Sequence, residues 1–359
     1  MARPTIARVD LQALQHNFQL AQGLVPDGQC LAVVKANAYG HGAVAVAKAL
    51  DSMAAAFGVA CIEEADELRQ AGINKPVLLM GGVFNQQEVI HAAENNYWLM
   101  LNNQQQLDSV IDADLTQPVT VWLKVDSGMH RLGIGLGDVS TYYQQLQASD
   151  NVLDEIVIAT HLACGDELDS TFTDQQIKQF MASVEGINAP LSISNSSGLL
   201  AWPQARQHWN RPGYMLYGNT PFSGAHQDAD KLRHVMTLSS EVVAVRDIDV
   251  GESVGYSANW TAKRPSKIAT IAVGYGDGYP RQARNGTPVI INGNRAPLVG
   301  RVSMDMITVD ITDLADVAVG DEVVLWGEHL TANEVAECAG TIGYEVLTRM
   351  PLRVPRVYS

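Results

Sequence analysis

A regular alternation of strand and helix patterns runs through the first two thirds of this chain and constrains its fold more than any other feature. Seven short apolar runs typical of buried strands are separated by stretches whose apolar residues have helical spacing. The strand candidates are residues 31–34, 55–60, 77–80, 98–101, 119–125, 156–160 and 191–194. The helix candidates are residues 10–22, 43–50, 62–71, 86–94, 104–111, 139–146 and 174–184. This alternation predicts an α/β fold with a parallel sheet.

An eighth strand is needed to close a parallel barrel, and two segments are candidates, residues 207–211 and 215–217. We favour the first, because Pro212 suits the first position of a helix and Gly213 beside it leaves backbone amides open to a phosphate. The sequence therefore predicts an eight-stranded parallel (β/α) barrel over residues 1–230.

The pattern changes from about residue 231, where short runs rich in Val, Ile and Thr are separated by Gly, Asn and Pro. The strand candidates here are residues 237–245, 267–273, 288–291, 299–311 and 322–326. One short helix is predicted at 332–339. We expect residues 231–359 to form a mainly-β C-terminal domain.

Charge and cysteine content narrow the possible partners. The formal net charge is -15 and no run of Lys or Arg is present, so we expect a small-molecule substrate rather than nucleic acid or an anionic membrane. The four cysteines are widely spaced, which argues against a zinc ribbon or a disulfide framework. No segment resembles a signal peptide or a membrane span, so a cytoplasmic location is expected.

Ionisable residues follow the predicted barrel strands, and in a barrel those strand ends share one face. They are Lys35, Lys124, Arg131, His161 and Arg211, with Ser196 after the seventh strand. A lysine in such a place either extends its stem to water or, with a pKa lowered by burial, serves as an amine nucleophile and base. Each residue alone is more often structural, but their collection on one face favours a catalytic site. The group His161, Cys164, Asp166 and Glu167 has no metal-ligand spacing, so no metal is predicted.

Six motifs together carry a resemblance to a known family. They are AVVKANAYGHG (32–42), KVDSGMHRLGI (124–134), NRPGYMLYG (210–218), VGYSANW (254–260), VGYGDGYPR (273–281) and GRVSMDMITVD (300–310). On these motifs the chain resembles alanine racemase, a family of pyridoxal phosphate enzymes that pair an eight-stranded barrel with a C-terminal β domain. The resemblance implies interconversion of L-alanine and D-alanine, either to supply D-alanine for cell-wall synthesis or in alanine catabolism.

The resemblance also implies roles for the residues around the reacting centre. Lys35 would hold pyridoxal 5'-phosphate and exchange the α-proton on the D face, and Tyr256 would be the base on the L face. In this family the tyrosine comes from the other subunit, so a homodimer with shared active sites is expected. His161 would support Tyr256, and Arg211 would face the pyridine nitrogen.

Further residues would hold the phosphate and the substrate. The resemblance assigns the phosphate to the hydroxyls of Tyr39 and Ser196 and to the amides of Gly213 and Tyr214. It assigns the substrate carboxylate to Arg131 and the Met304 amide, and it places Tyr275 at the entrance. Lys124 matches a position that is carbamylated in some members.

Two positions depart from the family pattern, and three alternatives remain. Leu352 stands where some members have a tyrosine near the phosphate, and Ser197 is an alternative to Ser196. A racemase of broader or serine-directed specificity would have the same motifs. A non-catalytic pyridoxal phosphate protein would need neither Tyr256 nor the C-terminal domain, and a decarboxylase on this plan should lack the paired VGYS and SMDM motifs.

Overall fold

The computed structural model describes residues 3–359 and confirms the predicted fold class, a parallel (β/α) barrel with a mainly-β C-terminal domain. The first seven barrel strands pair in parallel with one another in chain order, and the eighth pairs in parallel with the first. The barrel strands are Gln29–Val33, Ala56–Val59, Val77–Leu79, Tyr97–Leu101, Val121–Lys124, Val157–Ala159, Leu191–Ser192 and Trp209–Asn210. They form the almost continuously apolar interior that parallel sheets require.

The barrel is nearly closed, and the seventh and eighth strands meet through individual hydrogen bonds. The Arg211 N–H donates to the Ser194 carbonyl over 3.1 Å, and the Ser194 hydroxyl donates to Asn210 Oδ1 over 2.6 Å. The favoured eighth strand is thus confirmed, since the competing segment forms the 3₁₀ turn Tyr214–Tyr217.

Helices cover the barrel, and most begin and end within two residues of their predicted bounds. They are Leu11–Gly23, Ala43–Leu50, Ile62–Gln70, Gln86–Glu94, Gln104–Ile111, Val139–Gln147, Phe172–Ser183 and Ser196–Ala201. Side chains at several starts accept a backbone N–H, as Asp10 does from Ala13 and Asn85 does from Glu88. None of the helices between residues 3 and 359 is both long and apolar enough to cross a bilayer.

The C-terminal domain is built on a second eight-stranded sheet that includes the first strand of the chain. Ile6–Val9 pairs antiparallel with Met236–Ile248 and parallel with Arg356–Tyr358. The other members of this sheet are Ser266–Ile271, Pro288–Ile291, Asn294–Pro297, Ile307–Asp310 and Glu322–Trp326. Residues 6–9 were predicted as part of the barrel range 1–230, but they lie in this sheet. The boundary near residue 230 stays a prediction.

Further segments of this domain differ from the sequence prediction, which did not include the strands Asn294–Pro297 and Arg356–Tyr358. Strand 299–311 was predicted as one element, but the strand is Ile307–Asp310, because a turn in which the Ser303 N–H donates to the Met306 carbonyl over 3.0 Å precedes it. After the expected helix Ala332–Cys338 comes a second one, Gly343–Thr348, which was not predicted. A small ribbon, Ser253–Val254 with Trp260–Thr261, completes the domain and leads to Tyr256.

Candidate active site

Lys35 lies at the carboxyl end of the first barrel strand, immediately before a left-handed helical turn. The four residues Ala36 to Tyr39 have φ values of 52°, 53°, 52° and 51°. This conformation costs non-glycine residues roughly 1–2 kcal/mol each. Backbone bonds hold it, from the Ala38 N–H to Val34 over 2.8 Å and from the Gly40 N–H to Ala36 over 3.0 Å. Strain of this kind is typical of functional sites. The turn sets the positions of Lys35 and Tyr39 relative to each other.

The end of the chain also holds this turn. The Arg356 Nε–H donates to the Gly40 carbonyl over 3.1 Å, and the Tyr358 hydroxyl donates to the His41 carbonyl over 3.2 Å. The C-terminal domain therefore supports the loop that carries Lys35.

Two adjoining cavities of about 220 and 460 Å³ open over the carboxyl ends of the barrel strands. Both are lined by Lys35, Met80, Arg131, His161 and Arg211, so they form one cleft. The smaller cavity also reaches Lys124, and the larger one reaches Tyr39, Ser196, Gly213 and Tyr214. The barrel thus brings together the strand-end residues that the sequence singled out.

The cleft is dominated by cationic groups, which disfavour further positive charge. Burial, followed by the charges of Arg131 and Arg211, lowers the pKa of Lys35, with Glu64 acting in the opposite direction. Burial and the same two guanidiniums lower the pKa of Lys124 to about 7. The pKa of His161 lies well below its usual value for the same reasons. Burial and the guanidiniums therefore favour the neutral, nucleophilic form of both lysine amines more than water would.

Arg211 is 3% exposed and is fixed by backbone acceptors at the strand ends. Its Nη2 donates to the carbonyls of Thr160 over 2.6 Å and Ile193 over 3.2 Å, and its Nη1 donates to the Ser192 hydroxyl. Burial lowers its pKa to about 10, so the guanidinium stays charged at neutral pH. These bonds hold a positive group rigidly against the cleft.

A polar cup lies at the other end of the larger cavity. Ser196 Oγ accepts the N–H groups of Gly213 over 3.0 Å and Met215 over 3.2 Å. A methyl group added at Gly213 would lie 2.8 Å from the Tyr39 hydroxyl oxygen, so that hydroxyl closely approaches the Gly213 backbone. Ser197, by contrast, donates to Asn195 Oδ1 over 2.9 Å. Hydroxyls and amides gathered in this way suit a phosphate group.

The cup has one wall that the sequence analysis missed. Tyr344, on the unpredicted helix Gly343–Thr348, lines the larger cavity and stacks on Tyr214 with ring centroids 3.6 Å apart. No local pattern marks Tyr344 as a site residue, because long-range packing of the C-terminal domain puts it there. Leu352, which stands where some members of the family named above have a tyrosine, is 89% exposed.

Three predicted site residues lie outside the cleft. Tyr256 is 71% exposed and lines a separate cavity of about 430 Å³, and Met304 is 53% exposed. Tyr275 lies next to Met304, because the Tyr275 N–H donates to the Ser303 carbonyl over 3.0 Å and the Gly276 N–H donates to the Met304 carbonyl over 2.9 Å. Gly274 permits this approach, since a methyl group there would lie 2.4 Å from the Ser303 carbonyl oxygen. These residues share an exposed face of the C-terminal domain.

Comparison with known proteins gives matches along nearly the whole chain. The family model for the alanine racemase N-terminal domain matches residues 9–221, and the model for the C-terminal domain matches residues 235–358. An alanine racemase of Pseudomonas taetrolens is 51% identical over 99% of each chain. A catabolic alanine racemase of Pseudomonas putida is 50% identical over 99% of each. The crystal structure of a biosynthetic alanine racemase from Pseudomonas aeruginosa superposes with a TM-score of 0.96, at 44% identity and 99% coverage of both chains.

Proposed function

The chain belongs to the alanine racemase family of isomerases, and from this premise we propose that it interconverts L-alanine and D-alanine with pyridoxal 5'-phosphate. Lys35 and Tyr256 are the two proton-transferring groups of the proposal. The convergence of a lysine of lowered pKa, a fixed guanidinium and a phosphate-sized polar cup in one cleft carries it. Both D-alanine supply for cell-wall synthesis and alanine catabolism are consistent with this reaction.

The residues of the cleft fit the cofactor chemically. Lys35 supplies the amine that binds the aldehyde, and Ser196, Tyr39 and the amides of Gly213 and Tyr214 hold the phosphate. Arg211, which lines both cavities, would face the ring nitrogen. The bound cofactor supplies an electron sink that makes the α-proton of an amino acid acidic. Because Arg211 stays protonated, it would give no proton to that nitrogen, and the weaker sink would favour racemisation over side reactions.

Two bases are required because the enantiomers carry the α-proton on opposite faces of the α-carbon. A single side chain cannot remove a proton from one face and return one to the other. Lys35 acts on the D face, where its lowered pKa leaves it able to accept the proton. Tyr256 acts on the L face. The exposure of Tyr256 and its separate cavity support a homodimer in which it serves the cleft of a second copy.

The remaining residues orient these groups and the substrate. His161 supports the Tyr256 phenol of the second copy. Arg131 in the cleft and the Met304 amide of the second copy bind the substrate carboxylate, and Tyr275 narrows the entrance. Lys124, beside Arg131 and Arg211, is the site of carbamylation if the amine reacts with carbon dioxide.

The first test is the enantiomer ratio after incubation of purified, cofactor-loaded protein with pure L-alanine. We expect the ratio to drift to an equal mixture of enantiomers, and chiral chromatography measures that ratio over time. L-Serine in a parallel incubation separates an alanine-selective enzyme from one of broader or serine-directed specificity. A stable excess of L-alanine with the cofactor still bound would contradict the proposal.

A further inference from the structure

Glu64 links the segments that follow the first two barrel strands. Its Oε1 accepts the Ala36 N–H over 2.6 Å, and its Oε2 accepts the Ala60 N–H over 2.8 Å. Ala36 directly follows Lys35, and Ala60 directly follows the strand Ala56–Val59. Both alanines line the cleft. One carboxylate therefore bridges two residues that line the site, one of them next to the lysine.

The hydrogen bond from the Ala36 N–H to Glu64 holds a residue whose backbone has an unfavourable positive φ. Ala36 begins the left-handed turn, and such a conformation persists only where its surroundings fix it. A hydrogen bond to a charged acceptor is shorter and about twice as strong as a neutral one. The two short contacts of Glu64 therefore stabilise the segment that sets the direction of the Lys35 side chain.

Glu64 also differs in charge from the groups that surround Lys35. Arg131 and Arg211 act on Lys35 and disfavour its positive charge, whereas Glu64 favours it. Lys124 and His161 line the same cleft, and burial, followed by charges that include these guanidiniums, lowers the pKa of each. Tyr39, on the same turn, is neutral because burial raises its pKa to about 12. Glu64 thus favours the charged form of Lys35, Asp126 acts in the same direction on Lys124, and Glu345, which is paired with Arg349, also lines the larger cavity.

We propose that Glu64 is a positioning residue for Lys35, which fixes the left-handed turn through the Ala36 N–H and supplies a counter-charge to the lysine amine. The role of Lys35 as the cofactor-binding amine rests on the function proposed above. Glu64 itself is argued to act through Lys35 and its turn, not on the substrate.

The test compares Glu64→Gln and Glu64→Asp with Glu63→Gln, which changes an exposed carboxylate on the same helical turn. The full-length chain, freed of cofactor, is labelled with acetic anhydride across a pH series, and acetylation of Lys35 is followed by peptide mass spectrometry. We expect Glu64→Gln to lower the pKa of Lys35 by about 0.5 to 1 unit, because the counter-charge is removed. Glu64→Asp keeps the charge and should leave that pKa near the wild-type value, as should Glu63→Gln.

Cofactor affinity is the second measurement, taken from the visible absorbance of each variant titrated with pyridoxal 5'-phosphate. Both Glu64 variants should bind it about 10-fold or more weakly, since each loses at least one charged hydrogen bond that holds the segment carrying Lys35. If Glu64→Gln is insoluble, the affinity of Glu64→Asp against Glu63→Gln decides the matter.

Unchanged Lys35 reactivity and unchanged affinity in the Glu64 variants would overturn the proposal. An equal shift in Glu63→Gln would do so too, because the effect would then be one of general surface charge. The labelling needs neither substrate nor turnover. A wild-type protein that fails to racemise alanine would therefore contradict the proposed function without deciding the role of Glu64.

Discussion

Lys124 is a buried lysine whose ionisation should control stability. It is 9% exposed, and burial with two neighbouring guanidiniums lowers its pKa to about 7 from 10.5. Below about pH 7 the amine is charged in both folded and unfolded chains, and the folded chain bears the full cost of burying that charge. Between pH 7 and 10.5 only the unfolded chain keeps the proton, so the free energy of unfolding rises with pH.

Lys124→Met should therefore stabilise the protein at pH 6 and lose most of this advantage at higher pH. The difference in free energy of unfolding should fall by roughly 2 to 3 kcal/mol between pH 7 and pH 9. Urea unfolding at several pH values measures it, in bicarbonate-free buffer because carbamylation would replace the positive charge by a negative one. Lys267→Met, at an exposed lysine, is the control. A pH-independent difference would mean that Lys124 has an ordinary pKa in the folded chain.

Tyr256→Phe removes the proposed base on one face and should affect the two enantiomers unequally. In deuterium oxide, exchange of the α-proton of L-alanine should fall by about 10² to 10⁴, the usual contribution of a general base. Exchange from D-alanine, which depends on Lys35, should persist. Proton NMR measures both rates, and Tyr142→Phe on the helix Val139–Gln147 is the matched control. Equal loss from both enantiomers would argue against a two-base mechanism.

At the scale of residues, the sequence identifies site residues that lie at the ends of predicted strands. It does not identify those that lie on other segments of the chain. Lys35, Lys124 and Arg211 could be placed at one face because each ends a predicted strand, and they line the cleft. Glu64 and Tyr344 could not, because one acts through backbone contacts and the other comes from the distant C-terminal domain. Neither type of contact leaves a local pattern in the chain.

Among the elements, the left-handed turn after Lys35 is the most demanding on sequence. Asn37 has φ 53°, and its Oδ1 accepts the Ala43 N–H over 2.8 Å, so it also caps the next helix. Asparagine tolerates this conformation better than most residues, and a β-branched residue tolerates it worst. The residue therefore suits both tasks.

Asn37→Val should lower the free energy of unfolding by about 2 to 3 kcal/mol, from backbone strain and the lost bond. Asn37→Gly is the matched variant, which accepts the conformation and loses only the bond, at about 1 kcal/mol. Chemical unfolding of the three proteins separates the two contributions. Equal losses in both variants would show that the left-handed turn carries little strain.

Elements that are long and periodic could be predicted, whereas short ones held by distant partners could not. The helices over the barrel show apolar spacing and caps within their own residues. The strand Ile6–Val9 has four residues and exists because Met236–Ile248 and Arg356–Tyr358 flank it. The helix Gly343–Thr348 is similarly short and depends on packing such as the Tyr214 to Tyr344 stack. Pairing over hundreds of residues is invisible to local periodicity.

On the scale of the whole molecule, the two ends of the chain meet and support the site. The first strand and the last strand pair in the C-terminal sheet, and Arg356 and Tyr358 of that last strand bind the loop after Lys35. The barrel and the C-terminal domain of one chain are thus joined at Lys35. Tyr256 and Met304 are exposed and line neither cavity of that cleft, which is the arrangement expected of subunits that exchange residues.

Shared sites make a prediction about mixtures of inactive variants. Lys35→Ala and Tyr256→Phe should each be nearly inactive as homodimers. If Lys35 of one chain works with Tyr256 of another, a heterodimer of the two variants contains one site with both changes and one with neither. Random exchange makes half of the dimers heterodimers, so an equal mixture should regain about one quarter of wild-type activity.

The measurement is racemisation of L-alanine after the two variants are co-expressed or mixed and allowed to exchange subunits. A mixture of Lys35→Ala with the double variant Lys35→Ala/Tyr256→Phe is the control, and it should stay inactive because no pairing restores Lys35. Recovery in the first mixture alone would place the two bases of a site on different chains. Lack of recovery, with heterodimers detected by native mass spectrometry, would place both on one chain and require Tyr256 to move from its exposed position into the cleft of its own barrel.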